Sequence, residues 1–230
     1  MALLLHIESS GQNCSVALSN SNGLIDCIEQ NEANIHGSAL TVFIEELVKK
    51  NNLQLNDLEA VAVSKGPGSY TGLRIGVSVA KGLCYALDIP LISTNTLSSL
   101  AHLAKVKIEN GAAQYLLCPM IDARRMEVYT CIYNQDFQLI ADTTASIIDE
   151  ESFAQYRANH VIYFFGDGAA KCEAVFTKDP HSFFIEGLYP SAAANVSEAQ
   201  AKFQAKDFED TAYFEPFYLK EFLFQKKGAE

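Results

Sequence analysis

The residues whose types and spacing best suit chemistry lie between Val61 and Leu87. A short apolar run there leads into Gly66-Pro67-Gly68-Ser69-Tyr70-Thr71-Gly72-Leu73-Arg74. A glycine-rich turn that opens a helix can cradle an anion, because free backbone N–H groups and the positive end of the helix dipole converge there. Gly66, Gly68, Ser69, Thr71 and Arg74 are the candidates for such a site. The same residues equally suit a tight strand-to-helix turn, with Ser69 or Thr71 as the helix cap. No Gly-Lys-Ser/Thr triplet follows, so the stretch is not a P-loop. Both readings stay open.

Other chemistry is thinly represented. His36 stands at a helix start, but the position four residues on is Leu40, and His6, His102, His160 and His181 are scattered. No pair of histidines has ligand spacing on a helix, so no bound transition metal is expected. There is no G-x-S-x-G elbow, and Ser9-Ser10 suits a turn better than a nucleophile. Glu45-Glu46 falls on the polar side of a helix. A metallopeptidase reading therefore lacks both ligands and nucleophile.

The elements that position these residues follow from periodicity. Leu3–Glu8 and Cys14–Leu18 flank a turn at Ser9–Asn13 and read as a hairpin, with Leu24–Glu29 as a third strand. His36–Asn51 is an amphipathic helix, since Leu40, Phe43, Ile44, Leu47 and Val48 recur at helical spacing. Next come a strand at Ala60–Ser64, the glycine-bearing helix, a strand at Pro90–Ser93 and a helix over Thr96–Val106. In the glycine-bearing helix Gly72, Gly76 and Ala80 share one face. Each interior glycine costs ~1 kcal/mol relative to alanine. Close approach of another backbone is the natural compensation.

The second half begins the same way. A shift of 114 residues lays Ile7-Glu8 on Ile121-Asp122 and Asn20 on Asn134. Tyr115–Asp122 and Glu127–Tyr133 form a second hairpin, with Phe137–Ala141 as its third strand. A helix near Glu150–Arg157, a strand at Val161–Phe165 ending in Gly166-Asp167-Gly168, a helix to Phe176, a strand at Phe183–Ile185 and a helix over Ser191–Lys206 complete it. The pattern predicts an α/β fold of two related halves, residues 1–106 and 107–211, with the aromatic tail 212–230 docking back on the first.

Bulk properties bound the partners. No run of 18 apolar residues exists, and the opening Met-Ala-Leu-Leu-Leu-His-Ile-Glu8 lacks the basic start of a signal peptide. The six cysteines show no C-x-x-C spacing and suit buried thiols of a reducing compartment, so a cytoplasmic protein is expected. With 28 acidic against 17 basic residues and no dense basic cluster, the chain should bind bare nucleic acid poorly.

Glu8 and Asp122 each end the first strand of a half. A repeated hairpin with an acid at that place resembles the phosphate-binding hairpins of the actin, hexokinase and Hsp70 (ASKHA, ribonuclease H-like) superfamily. There an Asp with glycine nearby lets amides reach a phosphate while the acid holds Mg²⁺ through water. Here Glu8 precedes Ser-Ser, and the second turn is Ala123-Arg124-Arg125. The nucleotide site looks eroded.

Finer motifs resemble the bacterial TsaB family. They are Ile7-Glu8-Ser9-Ser10, Cys14–Leu18, His36–Leu40, Gly66–Gly76, Ala80-Lys81-Gly82, Asp122–Arg125 with Glu127–Tyr129, and the closing Glu215–Lys220. Glu8 stands where Asp is usual, Met126 where Gly is, and Lys220 where Arg is common. The resemblance implies a degenerate paralogue of TsaD, the metal- and substrate-bearing subunit that transfers threonylcarbamoyl to the adenosine beside the tRNA anticodon. It implies a non-catalytic subunit that pairs with a TsaD-like protein through its first two helices and is joined by a TsaE-like ATPase, with tRNA reached only through the complex. No cofactor is expected on this chain; ATP or ADP and metal fall to the partners, with a nucleotide at the interface as an option. The partner-binding residues implied are His36, Leu40, Phe43, Leu47, Gly72, Leu73, Gly76, Val77, Ala80 and Leu83. The alternatives are a kinase-like ATPase active alone and a homodimeric binding module.

Overall fold

A computed structural model describes residues 2–32, 35–108, 114–176 and 179–219. Lys220 and the rest of the expected tail, 221–230, lie outside the described residues. The first half is built on β1 (Leu4–Glu8), β2 (Asn13–Asn20), β3 (Gly23–Asn31), β4 (Ala60–Gly66) and β5 (Leu91–Asn95), ordered β3-β2-β1-β4-β5. β1 pairs antiparallel with β2 and parallel with β4, so it is the central strand. All five of its residues are buried, the polar His6 and Glu8 together with Leu4, Leu5 and Ile7.

The second half repeats the arrangement with β6 (Tyr115–Asp122), β7 (Glu127–Asn134), β8 (Leu139–Ile147), β9 (Val161–Phe165) and β10 (Ser182–Ile185), ordered β10-β9-β6-β7-β8. Two five-stranded mixed sheets of one topology, each opening with three antiparallel strands, are the expected ASKHA-type fold. The strand β8 starts two residues after and ends six residues beyond the expected Phe137–Ala141, and its ladder with β7 carries two irregularities. The expected helix near Glu150–Arg157 shrinks to the single turn α4, given below.

Helices α1 (His36–Lys50) and α2 (Tyr70–Leu87) cover one face of the first sheet, where Leu5, Ile7, Val16, Val61 and Val63 meet Leu40, Leu47, Val77 and Ala80. Helix α3 (Thr96–Lys107) lies between the sheets and buries Leu97, Leu100 and Ala104 against Leu117, Ile121 and Phe165 of the second. The far face of the second sheet carries α4 (Ala154–Arg157) and α5 (Glu173–Phe176), with Phe164 stacked on Phe176. Finally α6 (Val196–Ala205) crosses back to the first sheet, where Ala199 and Phe203 pack on Leu4, Ala62 and Ile92. Packing thus places α6 on the first half, inside the 107–211 span expected to form the second. Residues 207–219 also return to the first half: Phe217 N–H donates to Lys65 O at 2.7 Å, and Phe214 joins the α1/α2 core.

Candidate functional site

The stretch around Gly66–Arg74 meets the β1–β2 turn, and the contact explains its composition. Ser69 caps α2, its hydroxyl accepting from Gly72 N–H at 3.3 Å, while Ser69 N–H donates to Ser10 O at 2.6 Å. A Cβ at Gly72 would run into the Ser9 carbonyl, and one at Gly76 into the Ser9 side chain. Ser9 Oγ in turn donates to Gly72 O at 2.9 Å. The glycines exist so that the β1–β2 turn can lie directly on the helix. Thr71 is exposed, and exposed Arg74 folds over the Tyr70 ring at 5.4 Å, which in turn meets Tyr218 of the tail at 4.9 Å. The amides of Ser69 and Gly72 are thus engaged within the chain, as a strand-to-helix turn requires.

The same contacts correct the direction of the small-residue face. Gly72, Leu73, Gly76, Val77 and Ala80 are all buried against this chain's own sheet and turn, not presented outward. His36, Leu40 and Leu47 of α1 are buried too. His36 lies by the backbone of Gly11 and Asn13, and burial holds its pKa below the ordinary value. Of the ten residues in the expected partner face, Phe43 and Leu83 alone are partly exposed. The outward ridge of α2 is Thr71, Arg74, Ser78, Gly82 and Tyr85. Gly82 has nothing within 4 Å of a built Cβ, so no internal contact explains a glycine there.

Glu8 is fully buried without a cationic partner among the described residues. Its carboxylate accepts from Ser10 N–H at 2.7 Å and from the Ser64 hydroxyl. Ser64 Oγ accepts from Asn195 Nδ2 at 3.1 Å, and the Ser99 hydroxyl donates to Asn195 Oδ1. Burial raises the Glu8 pKa, against the opposing pull of these hydrogen bonds. The chain Glu8–Ser64–Asn195–Ser99 ties β1 and β4 to α3 and to the turn before α6. Around it, Asn13 Nδ2 donates to Pro190 O at 2.9 Å, Ala192 N–H to Ser15 Oγ at 2.8 Å, and Ser191 Oγ to Glu29 Oε2 at 2.8 Å. Sequence gave no signal for Ser64, Asn195 or Ser99.

Asp122 is handled differently. The Lys171 ammonium donates to its carboxylate and to Glu127 O at 2.6 Å. Asp167, whose pKa burial raises, accepts from Asp122 N–H at 2.9 Å. Gly168 packs so that a Cβ would lie 2.9 Å from Ile121 C. The Gly166-Asp167-Gly168 loop therefore clamps the end of β6. The residues present do not fit a Mg-nucleotide in the manner of the superfamily. One hairpin acid is sealed in a buried network, the other faces a lysine, and the amide beside Glu8 is used. Among the described residues, no group of three or more metal-ligating His, Cys, Asp or Glu side chains is present, and no helix is long and apolar enough to cross a membrane.

Comparison with known proteins gives the family. The profile of the family described as TsaD, tRNA N6-adenosine threonylcarbamoyltransferase, matches residues 30–226. The Haemophilus influenzae tRNA threonylcarbamoyladenosine biosynthesis protein TsaB is 28% identical over 97% of this chain and 96% of its own. The Escherichia coli TsaB is 35% identical over 58% of this chain, an alignment spanning 55% of that relative. In fold, the chain is similar to a Pseudomonas aeruginosa protein described as similar to peptidase YeaZ, with TM-score 0.82 and 24% identity over 96% of this chain and 100% of that one. The chain belongs to the family defined by the TsaD profile and, within it, to the TsaB/YeaZ proteins.

Proposed function

We propose that this chain takes part in threonylcarbamoyladenosine modification of tRNA as a non-catalytic subunit, pairing with a TsaD-like catalytic protein and helping to bring in a TsaE-like ATPase. Family membership supports the pathway. One observation carries the non-catalytic reading: both hairpins that would grip a nucleotide are occupied by the chain's own groups, Ser9 and Ser10 by α2 and Asp122 by Lys171. ATP or ADP and metal then belong to the partner subunits, and tRNA is reached through the complex. A protein of this net charge, −11, is a poor polyanion binder alone.

The partner face lies on the outward side of α1 and α2. Its exposed small residues Ser78 and Gly82 would let a partner helix approach, with Phe43, Leu83 and Tyr85 as apolar anchors. Gly82→Leu and Tyr85→Ala are expected not to lower the melting temperature of the isolated chain. They should weaken affinity for the TsaD-like partner at least tenfold, about 1.4 kcal/mol. Unchanged heteromeric affinity with lost self-association would assign the face to a second copy instead. Mg-dependent ATP turnover by the isolated chain, abolished by Glu8→Ala, would overturn the non-catalytic reading in favour of a kinase-like enzyme.

A further inference from the structure

Away from both hairpins, the far face of the second sheet holds a cavity of about 520 Å³ between the β7–β8 ribbon and α4. That size suits a small organic ligand. Two independent irregularities of the backbone converge on it. The β7–β8 ladder slips between the pairs Thr130–Thr144 and Ile132–Ala141, so β8 carries an extra residue at Asp142-Thr143. Such bulges re-aim side chains and recur beside functional sites. Across the cavity, Phe153 adopts φ +61°, a left-handed conformation that a bulky aromatic rarely takes. Its ring is held there by Phe164 at 5.6 Å and Phe176 at 6.2 Å.

The lining fixes the chemistry of the occupant. Phe153 and Ile132 supply an apolar floor, and the exposed acids Asp142 and Glu151 belong to the lining; the hydroxyls of the lining residues Thr130 and Thr144 are already engaged, with Cys118 Sγ at 3.2 Å and Ser146 Oγ at 2.9 Å. Neither acid forms an ion pair among the described residues, and no Lys or Arg lines the cavity. The neighbouring cation, Arg157, is held by Asp179 at 2.7 Å and by the carbonyls of Glu150 and Ser152. We propose that this cavity binds a small primary-amine cation with an apolar body, the ammonium meeting Asp142 and Glu151 while the body rests on Phe153. An exposed rim makes the binding weak, of order 1 mM.

Phenethylamine and its uncharged counterpart phenethyl alcohol, titrated into the full chain and followed by amide NMR shifts, test the proposal. The expected result is saturable shifts confined to residues around Thr130–Ile132 and Ala154–Tyr156 for the amine, with at least tenfold weaker binding of the alcohol. The pair Asp142→Asn and Glu151→Gln, both at exposed positions, should weaken the amine at least tenfold without lowering the melting temperature. Ala154→Trp, filling the cavity from the exposed side of α4, should abolish the shifts. Shifts that fail to saturate, amine and alcohol binding alike, or binding indifferent to all three substitutions would each overturn it. None of these outcomes bears on pairing through α1 and α2.

Discussion

Glu8 and Asp122 end corresponding strands of two sheets with the same topology, yet their surroundings are opposites. Glu8 is wholly buried, satisfied by an amide and a serine, and lodged in a polar chain that fastens α3 and the turn before α6 to the first sheet. Asp122 is half exposed and paired with a lysine supplied by the segment after Gly168. One strand position has become part of the core, the other part of the surface. The shared topology preserves the place of an acid without preserving its chemistry. What decides between the two fates is whether the following turn is pressed onto a helix, as Ser9-Ser10 is onto α2, or left open, as Ala123-Arg124-Arg125 is.

The largest expected effect breaks the first of these arrangements. Gly76→Leu inserts a side chain where the Ser9 side chain already sits. Overpacking typically costs ~1–3 kcal/mol, and a backbone turn held on both sides has little room to yield. We expect a loss at or above the top of that range, or failure to fold, read as a drop in the urea midpoint. Gly82→Leu on the same helix should instead be neutral or gain up to about 1 kcal/mol from helix propensity. Equal tolerance at both positions would contradict the inward face.

A second contrast is electrostatic. His6, two residues before Glu8, is fully buried, and desolvation lowers its pKa to about 3. Its Nε2 lies 2.7 Å from Ser19 Oγ. Because the folded value is below the unfolded one near 6.5, the unfolded chain takes up the proton first, and stability falls as pH drops through the window from about 6.5 to about 3. The slope from this one group approaches ~1.4 kcal/mol per pH unit within that window. His6→Gln should flatten the acid limb of the stability curve by one proton, whatever it does at neutral pH. An unchanged limb would show that the imidazole is reached by water in the folded state.

How much of this was legible beforehand depends on range. Tyr115–Asp122 and Val161–Phe165 form strands with the bounds read from the sequence, because a buried central strand is a continuous apolar run flanked by turn residues. The stripe of Gly72, Gly76 and Ala80 correctly announced a close backbone approach. It did not say whose backbone, and the β1–β2 turn of the same chain turned out to be the answer. The left-handed Phe153 shortened an expected helix without any residue type to announce it. Asn195 and Lys171 carry no local pattern at all: each acts on an acid or hydroxyl far along the chain, and only the assembled sheets bring them together.

Glu8 offers a smaller effect of opposite sign to His6. Its folded pKa is raised, so its favourable contribution is present below the ordinary carboxylate value and is lost as pH rises through the folded value. Glu8→Gln keeps an acceptor for Ser10 N–H and removes the charge. We expect it to match the parent near pH 4 and to exceed it by ~1–2 kcal/mol at pH 8, the range for relieving a buried unpaired charge. Calorimetric melting at both pH values reads this directly. A variant less stable at pH 8 than at pH 4, relative to the parent, would mean that the carboxylate is stabilised as the anion.

The smallest effect belongs to the other acid and tests the comparison from its weak side. The Lys171 and Asp122 side chains are 22% and 50% exposed. At such positions solvent screens the pair, and a measured coupling typically stays below ~1 kcal/mol. A double-mutant cycle with Asp122→Asn and Lys171→Met isolates the pairwise part, since each single change also removes other contacts, including the lysine's bond to Glu127 O. The coupling should be a few tenths of a kcal/mol in low salt and vanish near 1 M, where the Debye length is only about 3 Å. If the coupling exceeded ~2 kcal/mol and survived high salt, Asp122 would be an internal acid like Glu8, and the two hairpins would no longer differ in kind.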